Sequence, residues 1–149
     1  MTINPDLQGR SYPAKEVYDV GREKIREFAR AVKATHPAHF EVDAATALGH
    51  SDLVAPPTFA IIVAQRADAQ LIEDPDSGID FSRVVHAEER FTYTRPILAG
   101  DELVTVLHVD SIVERAGLAM VTTRCEISDE DGEPVASVVS TLAVRGEDA

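Results

Sequence analysis

The segment APPTFAIIVAQRADAQLIED, residues 55–74, decides which folds the rest of the chain can adopt. Its two prolines suit the start of a helix, and the residues from Thr58 to Ile72 are apolar on most sides of a helical projection. A helix that is apolar nearly all round is normally buried. We therefore expect this helix at the centre of the protein, with the other elements arranged around it.

The residues before the central helix predict short elements separated by loops. Residues 16–20 alternate like a strand, and Arg22 to Lys33 carry apolar residues three and four apart, as an amphipathic helix does. The loop ATHPAHF, residues 34–40, follows. Asp43 is a plausible N-cap for a short helix over Ala44 to Leu48.

The residues after the central helix predict a sheet. Four β-rich segments are joined by short turns, which favours an antiparallel meander: Arg83 to Arg95, Glu102 to Val113, Leu118 to Ser128 and Pro134 to Arg145. In the first segment, strict alternation places Val85, Ala87, Phe91 and Tyr93 on one face. We expect an α+β protein with one domain over residues 1–149, in which a long antiparallel sheet wraps around the apolar helix.

Composition excludes several classes of protein. The net charge of −12 disfavours binding to nucleic acid. The longest apolar run, Phe59 to Ala64, is far too short to span a membrane. The only cysteine, Cys125, alternates with inward-facing residues and is expected in the core. The first residues, MTINPDLQGR, have no apolar leader segment, so we expect a cytoplasmic location.

Five segments carry a resemblance to a known family: GRSYP, VGREKIREFA, LVAPPTFA, VVHAEERFTYTRPILAGDEL and TLAVRG. In this order they resemble the MaoC-like (R)-specific hydratase/dehydratase family, and more narrowly the A- and C-type subunits of actinobacterial (3R)-hydroxyacyl-ACP dehydratases. The resemblance covers nearly the whole chain and implies a hot-dog fold. It also implies dehydration of (3R)-hydroxyacyl thioesters, or hydration of trans-2-enoyl thioesters, on acyl-ACP or acyl-CoA. It implies no metal or redox cofactor.

The loop ATHPAHF matches the catalytic loop of that family only in part. Active members of the family carry Asp-x-Asn-Pro-x-His, and alignment through Pro37 puts His39 at the histidine position. Ala34 stands at the aspartate position and His36 at the asparagine position. An alanine can neither take nor give a proton. His39 is therefore either a retained base or a substrate-contacting residue, or else a loop histidine without a role.

The start of the central helix is the implied substrate-binding segment. Relatives in the family hold the thioester oxygen with a backbone amide at this position, where the helix dipole favours negative charge. By the resemblance, Pro57, Thr58 and Phe59 would contact the substrate, with the Phe59 N–H as the donor. The alternative is that Thr58 caps the helix and Phe59 fills the core.

The incomplete loop leaves more than one function open. Subunits of this type pair with a second hot-dog subunit that supplies the catalytic Asp and His, so the resemblance implies half of a heterodimer that shapes the acyl site. The alternative is a non-catalytic homodimer that binds acyl thioesters. A hot-dog thioesterase would use a carboxylate on the central helix, where Asp68 and Glu73 lie; we expect Asp68, near Arg66, at the surface. For His86 we expect a strand residue that pairs with Glu88 or a neighbouring strand.

Overall fold

The computed structural model describes residues 3–146. Three helices form the first half of the chain, with two short strands before them, and four long strands form the second half. The elements are β1 (Ser11–Pro13), β2 (Tyr18–Asp19), α1 (Arg22–Ala31), α2 (Val42–Ala47), α3 (Ala60–Ile72), β3 (Val84–Tyr93), β4 (Glu102–Arg115), β5 (Leu118–Asp129) and β6 (Pro134–Arg145). No helix among these residues is long and apolar enough to cross a membrane.

Helix α3 lies at the centre, as its composition predicts. It packs against β4, β5 and β6, and its buried residues recur at spacings of three, one, three, one and three from Ala60 to Leu71. The strands place alternate side chains against it; in β5 these include Val121, Cys125 and Ile127. An antiparallel sheet curled around a central helix is the hot-dog fold, and the α+β prediction is confirmed.

The order of the strands differs from the predicted meander. The sheet has the order β1-β4-β5-β6-β3, with β2 also paired to β4, so β3 pairs with β6 and not with its sequence neighbour β4. The reason lies in residues 94–101, which are too long for a hairpin turn and carry the chain from β3, at one end of the sheet, to β4, beside the short strands at the other end. The outer edge of β3 has no strand partner among residues 3–146.

The prediction that side chains alternate strictly between the two faces along β3 is also wrong. A register shift against β6 falls between His86 and Glu88. The residues before and after it therefore do not follow one continuous alternation between the two faces of the sheet. Val85 is 65 % exposed, whereas Phe91 packs against the core. His86 consequently faces the side of the sheet that carries α3, and it lines a cavity there.

The early elements differ from prediction mainly at their ends. Helix α1 begins at Arg22 as predicted and ends at Ala31, because Lys33 adopts a left-handed backbone with φ of 61°. Helix α2 begins at Val42 with Glu41 as its N-cap, so Asp43 lies in the first turn and is not the cap. The predicted strand at 16–20 is shorter, at Tyr18–Asp19.

Candidate active site

The family-like loop is held in a single turn. Pro37–His39 form one turn of 3-10 helix, and His36 is its N-cap. The His36 Nδ1 accepts a hydrogen bond from the Ala38 N–H at 3.1 Å. A proline at the first position of the turn has no N–H to satisfy, which suits it to this place. His36 therefore has a structural role, where the sequence alone indicated only a loop residue.

His39 is half-buried and has a defined tautomer. Its Nδ1 lies 2.6 Å from the carbonyl oxygen of Val54. A carbonyl oxygen can only accept, so Nδ1 carries the proton in this hydrogen bond. In the neutral ring Nε2 then has a free lone pair. The Val54 N–H in turn donates to the Ala38 carbonyl at 3.1 Å, which fixes the loop to the segment before α3. The hydrogen bond to Val54 thus fixes the orientation of the His39 ring.

Within residues 3–146, no carboxyl group is hydrogen-bonded to His39 in the manner of the family motif. Ala34 occupies the aspartate position, and its N–H caps the end of α1 by donating to the Ala29 carbonyl at 2.8 Å. Asp52 is bound by the Arg22 guanidinium at 2.9 Å, and this hydrogen bond holds the pKa of Asp52 below its usual value. Asp43 is exposed in the first turn of α2. A carboxylate held ionised by an arginine is a poor proton donor.

The start of α3 is closed by its own hydrogen bonds. The Phe59 N–H donates to the Pro56 carbonyl at 2.9 Å. The Tyr93 hydroxyl donates to the Pro57 carbonyl, and the Ala60 N–H reaches that hydroxyl at 3.4 Å. Tyr93 therefore fixes the first turn of α3. Sequence patterning placed Tyr93 on the inner face but gave no sign of this role, because the contact spans two distant elements.

Thr58 and Phe59 have different surroundings. The Phe59 side chain is fully buried and meets the Phe28 ring edge to face, with 5.4 Å between centroids. Thr58 is exposed and makes no side-chain capping bond to α3. Its N–H has no hydrogen-bond partner within residues 3–146. Phe59 fills the core, as the alternative interpretation has it, while Thr58 does not cap.

The structure links the two parts of the candidate site only indirectly. His39 is bonded to Val54, which precedes Pro57 by three residues in the chain. In the part of the chain that the structure describes, no hydrogen bond joins His39 to Pro57, Thr58 or Phe59. The contacts to Val54 therefore connect the loop to the chain segment that leads into α3.

Asp68 is the main residue that sequence reasoning misplaced. It was expected at the surface, but it is only 3 % exposed. The Thr123 hydroxyl donates to its Oδ1 at 3.0 Å, and burial raises the pKa of Asp68 to about 6. The signal was present in the sequence, since residue 68 falls on the same helical stripe as Ala64, Ala67 and Leu71.

Two other sequence expectations are resolved near α3. His86 does pair with a glutamate of its own strand, but with Glu89 at 2.9 Å and not with Glu88, which binds Arg90. Cys125 is buried in the core, and burial raises the pKa of its thiol to about 12. A thiol with so high a pKa is unreactive at neutral pH.

Comparison with known proteins finds relatives over nearly the whole chain. Residues 6–138 match the family model described as the FAS1-like, dehydratase domain region. The UPF0336 protein of Clavibacter michiganensis subsp. michiganensis is 54 % identical over the full length of both chains. The UPF0336 protein Lxx02810 of Leifsonia xyli subsp. xyli is 53 % identical, over 98 % of each chain.

Solved structures show the same relationship. A chain of the truncated HadBC (3R-hydroxyacyl-ACP dehydratase) complex from Mycobacterium tuberculosis is 40 % identical, with a TM-score of 0.85 over 93 % of this chain and 97 % of that one. A MaoC-like dehydratase is 37 % identical, with a TM-score of 0.87 over 95 % of this chain but 43 % of that longer chain. The resemblance found in the sequence is confirmed: the chain belongs to the FAS1-like dehydratase domain region family and has the hot-dog fold of MaoC-like dehydratases.

Proposed function

We propose that this chain is a subunit of a (3R)-hydroxyacyl-thioester dehydratase, or trans-2-enoyl-thioester hydratase, whose partner hot-dog subunit supplies the catalytic Asp and His. The observation that carries the proposal is the half-equipped loop. His39 is oriented with Nε2 free, while Ala34 stands where an acid is required. The family and the likeness to the HadBC chain support the reaction class.

The chemistry explains why a partner is needed. Adding water to an enoyl thioester requires one group that takes a proton from water and one that delivers a proton beside the carbonyl. Each well-placed proton transfer contributes a factor of about 10²–10⁴ to the rate. His39 can perform one of these transfers. The carboxylates that follow it in the chain do not complete the pair, because Glu41 and Asp43 are exposed and Asp52 is bound to Arg22.

Strand β3 is where we place the partner. It lies at the end of the sheet, and its outer edge has no strand partner within residues 3–146. A ten-residue edge strand that ends a sheet invites pairing with another strand. Val85 adds an apolar side chain, 65 % exposed, to the same edge strand. A second hot-dog subunit that pairs there would continue the sheet across the interface.

The proposed substrate contacts are Pro57, Thr58 and the Phe59 backbone. Pro57 and Thr58 are exposed at the start of α3. The Thr58 N–H is the unpaired backbone donor closest to the positive end of the helix dipole. The Phe59 N–H is engaged by Pro56, so a contact from that amide requires this bond to open. We place the reaction in the cytoplasm, on acyl-ACP or acyl-CoA.

The test follows the loss of the enoyl absorbance of crotonyl-CoA and longer trans-2-enoyl-CoA substrates. The purified chain alone should give no hydration above background, and addition of a hot-dog subunit with an intact Asp-x-Asn-Pro-x-His loop should give rapid hydration. Hydration by the chain alone that collapses in His39→Ala would overturn the partner requirement. Binding of an acyl thioester without hydration in any pairing would favour the second candidate, a non-catalytic acyl-thioester-binding homodimer. The absence of an acid at position 34, where Ala34 stands, also supports that candidate.

A further inference from the structure

A cavity of about 300 Å³ opens at one end of the sheet, beside the turn between β4 and β5. Three arginines line it, Arg83, Arg115 and Arg145, together with the acidic residues Asp80 and Glu114. A volume of this size lies at the low end of the range for small-ligand sites. The cavity shares no lining residue with the loop at residues 34–40 or with the start of α3. It is therefore not part of the candidate active site.

The strand register brings two of these arginines together. Leu118 on β5 lies directly opposite Arg115 on β4 and directly opposite Arg145 on β6. Directly opposed residues of antiparallel strands face the same side of a sheet. Arg115 and Arg145 therefore flank Leu118 on one face, about 10 Å apart at the backbone, because neighbouring strands lie about 4.8 Å apart. Two long arginine side chains can reach one small anion across that gap.

Gly146 connects the third arginine to the turn after Arg115. The Arg83 guanidinium donates to the Gly146 carbonyl at 2.7 Å, and the Gly146 N–H donates to the Gly117 carbonyl at 2.7 Å. A Cβ at position 146 would lie 3.0 Å from that Gly117 oxygen, so a side chain there would push the turn away from β6. Ala116 and Gly117 have φ of 51° and 79°, as a two-residue hairpin turn requires. Backbone contacts thus hold all three arginines around one opening.

The two acidic residues of the cavity do not neutralise Arg115 and Arg145. The Asp80 carboxylate lies 3.5 Å from the Arg83 guanidinium and accepts hydrogen bonds within its own turn. Glu114 precedes Arg115 on β4, and successive side chains of a strand point to opposite faces, so these two side chains diverge. Within residues 3–146, neither Arg115 nor Arg145 forms a salt bridge. Two guanidinium groups on one face therefore have no counter-ion among these residues.

This pair differs from the arginines elsewhere near the sheet. Arg95 and Arg124 each bind two carboxylates, at distances from 2.8 to 3.8 Å. The chain has 26 acidic residues against 14 basic ones, so carboxylates are plentiful. Two cations held close together repel one another unless an anion offsets the repulsion. The arrangement indicates that Arg115 and Arg145 receive their anion from a bound ligand.

We propose that this cavity binds a phosphate-bearing ligand, with the phosphate group between Arg115 and Arg145 and beside Arg83. The planar guanidinium group pairs with phosphate through two parallel hydrogen bonds. A phosphate monoester carries nearly two negative charges at neutral pH, which matches two arginines, whereas a carboxylate carries one. Leu118, which is 41 % exposed between the two arginines, offers an apolar contact for the rest of the ligand. The proposal does not rest on the dehydratase function.

Calorimetry with inorganic phosphate on the full chain, at pH 7.5 in about 0.15 M NaCl, tests the site. Phosphate should bind with a Kd below about 1 mM, and the amide NMR shifts should centre on Gly117 and Gly146. Arg115→Gln and Arg145→Gln should each weaken binding about tenfold or more, as expected for hydrogen bonds between charged groups. Arg115→Lys keeps the charge but loses the planar fork, so its loss should be smaller. Phenyl phosphate distinguishes the sources: tighter binding than inorganic phosphate would assign the site to a phosphorylated small molecule, and equal binding to free phosphate.

Three further variants separate a built site from general attraction of anions. Arg30→Gln removes an exposed arginine of α1 with the same change in net charge, and it should alter phosphate affinity less than about twofold. Gly146→Ala keeps every charge but forces the turn away from β6, so it should weaken binding severalfold. Glu147→Gln combined with Asp148→Asn removes the two carboxylates that follow Gly146 in the sequence, and this variant should bind phosphate at least as tightly as the unmutated chain.

Three outcomes would overturn the proposal. The first is no binding of either probe at concentrations up to about 10 mM. The second is a loss of affinity in Arg30→Gln as large as in Arg115→Gln, which would show attraction by net charge alone. The third is phosphate binding only by the double variant at Glu147 and Asp148, because the chain's own carboxylates would then be the anions that the arginines bind.

Discussion

The start and the middle of α3 place polar groups against the same core, but they are satisfied to different degrees. At the start, most hydrogen-bonding groups are engaged: His39 Nδ1 binds Val54, the Phe59 N–H binds Pro56, and the Tyr93 hydroxyl joins two backbone groups. Within residues 3–146 the Thr58 N–H stays unpaired. The acid that the family chemistry uses is nevertheless missing. In the middle, an acid is present and buried, with one oxygen unpaired.

The comparison shows that the position of a family motif and the position of the most perturbed acidic group need not coincide. The motif located the loop, because proline and histidine fix its shape whether or not the chemistry remains. Among residues 3–146, the carboxyl group whose pKa is shifted most lies outside the motif, at Asp68. A buried titratable group beside a cavity is a reason to expect binding or catalysis, independent of any family pattern. Four substitutions test this comparison.

The largest effect is expected from Phe59→Ala at the start of α3. The ring is fully buried and packs edge to face on Phe28, so its removal should lower the free energy of unfolding by about 3–5 kcal/mol. Urea unfolding followed by circular dichroism measures this. Thr58→Ala is the matched control, since Thr58 is exposed and does not cap α3, and it should change stability by less than about 0.5 kcal/mol. Similar losses from both substitutions would contradict the assignment of Phe59 to the core.

In the middle of α3, Asp68→Asn should change how stability depends on pH. The Asp68 pKa is raised from 3.8 to about 6, so between these values the folded state holds a proton that the unfolded state has lost. The stability contributed by Asp68 is therefore complete below about pH 4 and is lost as pH rises through about 6. A pKa difference of about two corresponds to about 3 kcal/mol.

Denaturant unfolding at pH 4 and pH 7 measures that contribution. Relative to the unmutated protein, Asp68→Asn should gain about 2.5 kcal/mol in stability between these two pH values, because the amide does not titrate. Glu73→Gln serves as the control, as Glu73 is exposed on the same segment. A parallel pH dependence in Asp68→Asn and the unmutated protein would show that Asp68 titrates normally in the folded state.

The same contrast explains what the sequence could and could not reveal. The central helix, the strand segments and the incomplete loop were predictable, because each depends on local periodicity or on residues a few positions apart. The pairing of β3 with β6 and the register shift at His86 were not, because they depend on contacts between strands far apart in the sequence. Asp68 was predicted at the surface because the charged Arg66 lies near it in the sequence, although its position on the helical stripe indicated burial.

A smaller effect is expected where Tyr93 fixes the first turn of α3. Tyr93→Phe removes the hydroxyl that donates to the Pro57 carbonyl and receives the Ala60 N–H, so it should lower the free energy of unfolding by about 1–2 kcal/mol. Thermal and urea unfolding measure the loss. Hydrogen exchange at Ala60 should become faster, because its amide loses its partner. Unchanged exchange there would mean that the 3.4 Å contact gives no protection.

The smallest effect is expected from His39→Ala, and it distinguishes an anchoring histidine from a catalytic one. Loss of the Nδ1 hydrogen bond to Val54 should lower the free energy of unfolding by about 0.5–1.5 kcal/mol. His36→Ala, which removes only the cap of the same turn, is the matched control. In a complex with a catalytic partner subunit, the rate of hydration should change less than about threefold in either variant, because one positioned proton transfer is worth about 10²–10⁴ and the partner supplies it. A loss of that size in His39→Ala, with His36→Ala unaffected, would make His39 a working base and would place part of the chemistry in this chain.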